Sequence, residues 1–76
     1  MLPKSPLTIE AMWMSWRQIV SYLVRRNGMD ETAAHVKAGE IWARGHAEHN
    51  VRQNRKGRIE CLVPVCCEEN QIRIQL

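Results

Sequence analysis

With 76 residues the chain has room for one small domain (1–76), and a chain this short buries only about 60% of its unfolded surface. An apolar share of 45% beside a charged share of 25% excludes a disordered polymer, and no apolar run approaches the ~18 residues of a membrane-crossing helix. The net charge of +3 is modest but concentrated: between positions 44 and 58, Arg44, Arg52, Arg55, Lys56 and Arg58 face Glu48 alone, so that stretch is net +4 and the remainder sums to −1.

The opening Met-Leu-Pro-Lys-Ser-Pro lacks the continuous apolar centre of a signal peptide. The three cysteines, Cys61, Cys66 and Cys67, are odd in number, whereas a disulfide-stapled secreted fold shows an even framework. Reduced thiols in a cytoplasmic protein are the expectation.

From Thr8 to Asn27 the apolar residues Ile9, Met12, Trp13, Trp16, Ile19, Val20 and Leu23 fall at helical spacing on one face, with Glu10, Arg17, Ser21 and Arg25 opposite. Thr8 serves as N-cap in this reading, with Leu7 stapled onto Met12. Met14 falls outside the stripe and is expected at the surface beside Arg17 and Val24. Gly28 can take the left-handed conformation that ends a helix, after Arg25 and Arg26 in the last turn.

Asp30 can cap a second helix, whose inner face reads Ala34, Ala38, Ile41 and Trp42. Its end depends on Gly45, which costs roughly 1 kcal/mol relative to alanine, against two i,i+4 pairs, Arg44–Glu48 and Glu48–Arg52, worth a few tenths each. The spacing predicts continuation to about Asn54, with a kink allowed at Gly45.

Beyond Gly57 the apolar period becomes twofold. Ile59, Cys61, Val63 and Val65 alternate with polar or outward positions, as do Ile72, Ile74 and Leu76. A turn at Cys67–Asn70 would set Val65 against Ile72, Val63 against Ile74 and Cys61 against Leu76. Pro64 lacks a ladder donor and predicts an edge strand, at least locally. The expected fold is therefore α+β: two N-terminal helices, about 8–27 and 30–54, then a C-terminal antiparallel hairpin, about 58–66 and 71–76. The Gln71–Leu76 edge is also open to pairing with a symmetry mate in a homodimer sheet.

No arrangement of residues carries catalytic or cofactor chemistry. The chain has no GxGxxG, GxxxxGK[ST] or HExxH, so a non-enzymatic protein without cofactor or metal is expected. His46 and His49 share a helical face upstream of the cysteines, but this spacing matches no zinc finger, and Cys61 and Cys66 point to opposite strand faces. Glu68 and Glu69 read as turn residues, Asp30 and Glu31 as a helix start.

The basic segment remains. Arg52, Arg55, Lys56 and Arg58 suit phosphates, with Arg44 and His49 beside them, which points to a nucleic-acid-binding module in a regulatory role. A helix-turn-helix is disfavoured because Asp30 and Glu31 would meet phosphate at the start of the recognition helix. The alternative is an accessory or inhibitor protein of the phage or plasmid type, holding an acidic protein partner through the same patch or adding a strand at a free edge. The least specific reading makes Arg52–Arg58 a solvated connection.

Overall fold

A computed structural model describes residues 7–68 and 71–75, with side chains for 10–67 and 71–75. The elements run β1 (Leu7–Met14), α1 (Trp16–Arg25), α2 (Glu31–Ala47), β2 (Val51–Gln53), β3 (Ile59–Glu68) and β4 (Gln71–Ile74). The α+β class stands. The layout differs from two helices followed by a hairpin, because a strand precedes the helices and a third strand joins the hairpin.

The first correction concerns the start of the helix. Ser15, not Thr8, is the N-cap: Gln18 N–H donates to Ser15 Oγ at 3.3 Å and Ser15 N–H donates to Gln18 Oε1 at 3.1 Å, a reciprocal capping box. Residues 7–14 form a strand instead. Their alternation is broken, with Leu7, Ile9, Ala11 and Trp13 set against Thr8 and Glu10 but Met12 and Met14 apolar on the other parity, and tertiary pairing decides for the strand. The ten-residue β3 needs a partner on each side, and the four-residue β4 cannot cover either side alone. Strand β1 fills one side over eight antiparallel pairs, from Leu7 opposite Glu68 to Met14 opposite Cys61.

The second correction concerns the end of α2. Asp30 caps it as expected, accepting from Thr32 N–H at 3.1 Å, but the helix stops at Ala47 rather than near Asn54. Glu48 is the C-cap and His49 turns left-handed at φ 57°, with Asn50 N–H donating to the Gly45 carbonyl at 2.8 Å. Of the two anticipated pairs, Arg44–Glu48 forms at 3.5 Å, while Arg52 turns to Glu60 across the β2–β3 ladder at 3.2 Å. Gly45 does not stop the helix. It is buried where α2 meets β3, and a Cβ there would lie 3.0 Å from the Cys61 Cβ. Gly45→Val is therefore expected to cost about 1–3 kcal/mol through overpacking, read as a fall of at least about 4 °C in melting temperature. An unchanged melt would show that this approach is not tight.

The hairpin register is shifted by two residues from the sequence expectation. Val65 lies opposite Ile74, not Ile72, and Cys67 opposite Ile72. A slip of two keeps every side chain on its face, so the alternation could not discriminate between the registers. Cys61 meets Met14 and Val51 as neighbours. Its expected partner Leu76, and the turn residues Glu69 and Asn70, lie outside the described residues.

Strand β3 is central rather than an edge, with β1 on one side and β2 then β4 along the other. Leu62 N–H donates to Asn50 and the Pro64 carbonyl accepts from Gln75, both at 2.9 Å. By this parity the donor that Pro64 lacks would point toward Gln75, just past the end of β4, so the proline removes one bond at the end of that pairing.

Both helices cover one sheet face. Met14, Ile19, Leu23, Ala34, Ala38, Cys61, Val63, Val65 and Ile74 form the core. Met14, expected at the surface, is fully buried there, because the strand places it level with Cys61. Trp13, expected in the core, takes the opposite parity and lies half-buried on the uncovered face. At the end of α1, Asn27 uses its side-chain amide as a ladder partner. Nδ2 donates to the Ile74 carbonyl at 2.9 Å and Oδ1 accepts from Ile74 N–H at 3.0 Å. These groups lie on the outer side of β4, so Asn27 occupies part of the edge considered for dimer pairing. Among the described residues no helix is long and apolar enough to cross a membrane.

Candidate functional site

The turn joining β2 to β3 carries three of the six basic candidates and is tightly bonded. Asn54 Oδ1 accepts from both Lys56 N–H and Arg58 N–H at 2.9 Å, while Asn54 N–H donates to the Arg58 carbonyl at 2.8 Å. Gly57 N–H donates to the Asn54 carbonyl at 3.0 Å, and Gln53 Nε2 donates to the Gly57 carbonyl at 3.1 Å. Gly57 sits at φ 81°, which a side chain would oppose. The asparagine-centred turn holds the backbone that carries Arg55, Lys56 and Arg58.

Arg52 is fixed differently. Its guanidinium lies 4.5 Å over the Trp13 ring, and its Nε donates to Glu60 Oε1 at 3.2 Å. Trp13 thus has a structural use on the uncovered face as the seat of this cation.

Opposite the turn stands the start of α1. Ser15, Arg17 and Gln18 join Arg52–Lys56, Arg58 and Glu60 around an open groove of about 710 Å³. Among the described residues five cations line it, and the single acid, Glu60, is engaged by Arg52. Among the described residues no carboxylate pairs with Arg17, Arg55, Lys56 or Arg58. The first turn of α1 contains no acid and one cation, Arg17, the reverse of what the helix dipole favours.

Of the sequence candidates, Arg52, Arg55, Lys56 and Arg58 converge on the groove. Arg44 and His49 do not line it. Arg44 is paired with Glu48 on α2 and borders a second depression, where Lys37–Glu40 at 3.2 Å also balances charge. His49 occupies the left-handed turn after α2, so the aligned helical surface of His49, Arg52 and Lys56 is not formed. Arg17 was missed. No spacing links it to a turn some forty positions away, but Ser15-x-x-Gln18 is a capping-box pattern that would have placed Arg17 in a first helical turn.

Among the described residues no group of three or more potential metal ligands comes together. Cys61 is buried on the helix-covered face, and burial pushes its thiol pKa up, away from nucleophilic thiolate. Cys66 and Cys67 are only half-buried. A thiol titration of the native protein should therefore leave Cys61 unreacted until denaturant is added; immediate reaction of all three would contradict its burial.

Compared with protein-family models, curated proteins and solved structures, the chain finds no match.

Proposed function

We propose that this chain is a small non-enzymatic binding module that holds nucleic-acid phosphates in the groove between the start of α1 and the β2–β3 turn. The observation that carries the reading is the convergence of Arg17, Arg55, Lys56 and Arg58, none paired with a described carboxylate, on one groove. Clustered cations without counter-charges repel one another, and a polyanion releases that repulsion together with its own condensed counterions. Arg17 adds to the argument because its position at the helix start is locally unfavourable. The role of such a module is regulatory: it occupies a nucleic acid without altering it.

The test is the salt dependence of oligonucleotide binding by fluorescence anisotropy. Each phosphate contact adds roughly 0.7–0.9 to the slope of log K against log salt. Changing Arg55, Lys56 and Arg58 together to alanine should lower that slope by about two to three. A slope near zero for the parent protein, or one untouched by the triple change, overturns the proposal.

A second reading, partner binding by strand addition, is favoured by the outer side of β1, which no described strand pairs. The register directs the backbone polar groups of Leu7, Ile9, Ala11 and Trp13 away from β3. A protein complex that survives nuclease and is lost on Ala11→Pro would support it; insensitivity to Ala11→Pro would remove it.

A further inference from the structure

Arg52 differs from the other cations of the basic groove. Arg17, Arg55, Lys56 and Arg58 pair with no described carboxylate, whereas Arg52 is held on two sides. The strand registers explain how. Arg52 stands opposite Glu60 on one flank of β3, and Trp13 stands opposite Leu62 on the other. Glu60 and Leu62 are two positions apart, so these four side chains share the sheet face that the helices leave uncovered. Arg52 reaches diagonally across β3: its guanidinium carbon lies 4.5 Å from the centre of the Trp13 ring, and its Nε donates to Glu60 Oε1 at 3.2 Å. The Glu60 side chain is only 13% exposed, but that of Arg52 keeps 51% of its surface. Trp13 thus takes one side of the guanidinium and Glu60 its Nε edge. The side away from the ring is left open, and Arg52 and Glu60 both line the groove.

A charge-balanced, tethered arginine adds little to the attraction of phosphates. It adds a plane instead. A guanidinium is flat and delocalised, and unstacked bases lie on such planes as they do on aromatic rings. Seated on Trp13 and tied to Glu60, this one is fixed before a ligand arrives, so little side-chain freedom is lost when a base settles on it. Phosphates of the same strand follow the four unpaired cations. We propose that Arg52, backed by Trp13, is a base-stacking platform and that the groove takes single-stranded nucleic acid. This rests on the groove reading above and adds selection for unpaired bases, since the base faces of a duplex are stacked on one another. The rival use of Arg52 is a cross-strand clamp alone, in which neither bases nor the guanidinium plane affect binding.

The probes are a labelled oligo-dT, the corresponding oligo-U, an abasic strand of equal length and a blunt duplex, each titrated with the full chain at 0.1 M salt. The abasic strand keeps the phosphates and lacks the bases. Both base-bearing single strands are expected to bind the parent protein at least roughly 2- to 30-fold tighter than the abasic strand, the worth of one cation–π contact, with the same salt slope. Arg52→Lys keeps the charge and can still meet Glu60, but it has no plane. It should lower oligo-dT and oligo-U binding to the abasic level and leave the abasic strand and the duplex unaffected. Thermal melting establishes that the variant is folded; should it not fold, the comparison of base-bearing and abasic strands on the parent protein decides the matter. Salt-dependent binding that is equal with and without bases, or an Arg52→Lys loss shared by all four probes, overturns this inference alone. Absence of salt-dependent binding to any probe overturns the groove reading with it.

Discussion

Arg17→Glu is expected to weaken oligonucleotide binding by at least about five- to eightfold at 0.1 M salt while leaving the protein as stable as before or more so. The binding loss follows from counterion release: one contact is worth about 0.7–0.9 in the salt slope, which amounts to five- to eightfold over the decade from 1 M to 0.1 M. Reversal of charge adds repulsion to that loss. The stability gain has a separate origin. Arg17 sits in the first turn of α1, behind the Ser15 cap and with no acid beside it. A carboxylate there would complement the helix dipole by about 0.3–1 kcal/mol. A residue whose removal improves the fold and damages binding is being used at the expense of stability. The control is Arg26→Ala compared with Arg17→Ala: each removes one positive charge, but Arg26 is not among the groove-lining residues. Equal losses from the two would show that net charge, not the groove, drives association.

Asn27→Ala should be among the most damaging single changes outside the apolar core, costing about 1–3 kcal/mol. The side-chain amide satisfies both the N–H and the carbonyl of Ile74, whose own side chain is almost fully buried. No other described interaction joins the end of α1 to β4 by hydrogen bonds. For a 76-residue domain a loss of this size is a substantial part of a total of roughly 4–11 kcal/mol. Asn27→Asp should fall between parent and alanine, because it keeps the acceptor for Ile74 N–H but turns a donor into a negative oxygen facing a carbonyl. Urea unfolding measures the cost, and amide hydrogen exchange locates it: the Ile74 N–H should lose protection first. If stability falls without faster exchange at Ile74, Asn27 acts only as a helix terminator and the clamp is unimportant.

The parts of this molecule that could be read from residues alone are those settled within a few positions of chain. Asp30 announces α2 because a side-chain oxygen next to unpaired N–H groups caps a helix wherever it occurs. Gly28 closes α1 at φ 70°, a conformation open to glycine at little cost. The alternation from Ile59 onward gives two strands and their inward faces. Arg52, Arg55, Lys56 and Arg58 are near one another in the fold because they are near one another in sequence, and Asn54 and Gly57 close the turn between them.

The rest depended on contacts between distant segments. Residues 7–14 carry helical spacing and only a broken alternation, and the choice falls to the side of β3 that they pair, some fifty residues later. The same choice buries Met14 and turns Trp13 outward to carry Arg52. Alternation fixes only the parity of the β3–β4 pairing, so a shift of two residues passes unnoticed until Asn27 and the neighbouring strands select one register. The helix whose charge pairs favour a run to Asn54 ends at Ala47, where the His49 turn leads into β2 and a new ladder with β3. Arg17 reaches the basic turn only because β1 hands the chain to α1 at that end of the sheet. Caps, turns and periods are local free-energy preferences of a few tenths to one or two kcal/mol. Strand partners and groove walls follow from burying surface and pairing backbone groups over the whole chain, and that larger sum overrides them.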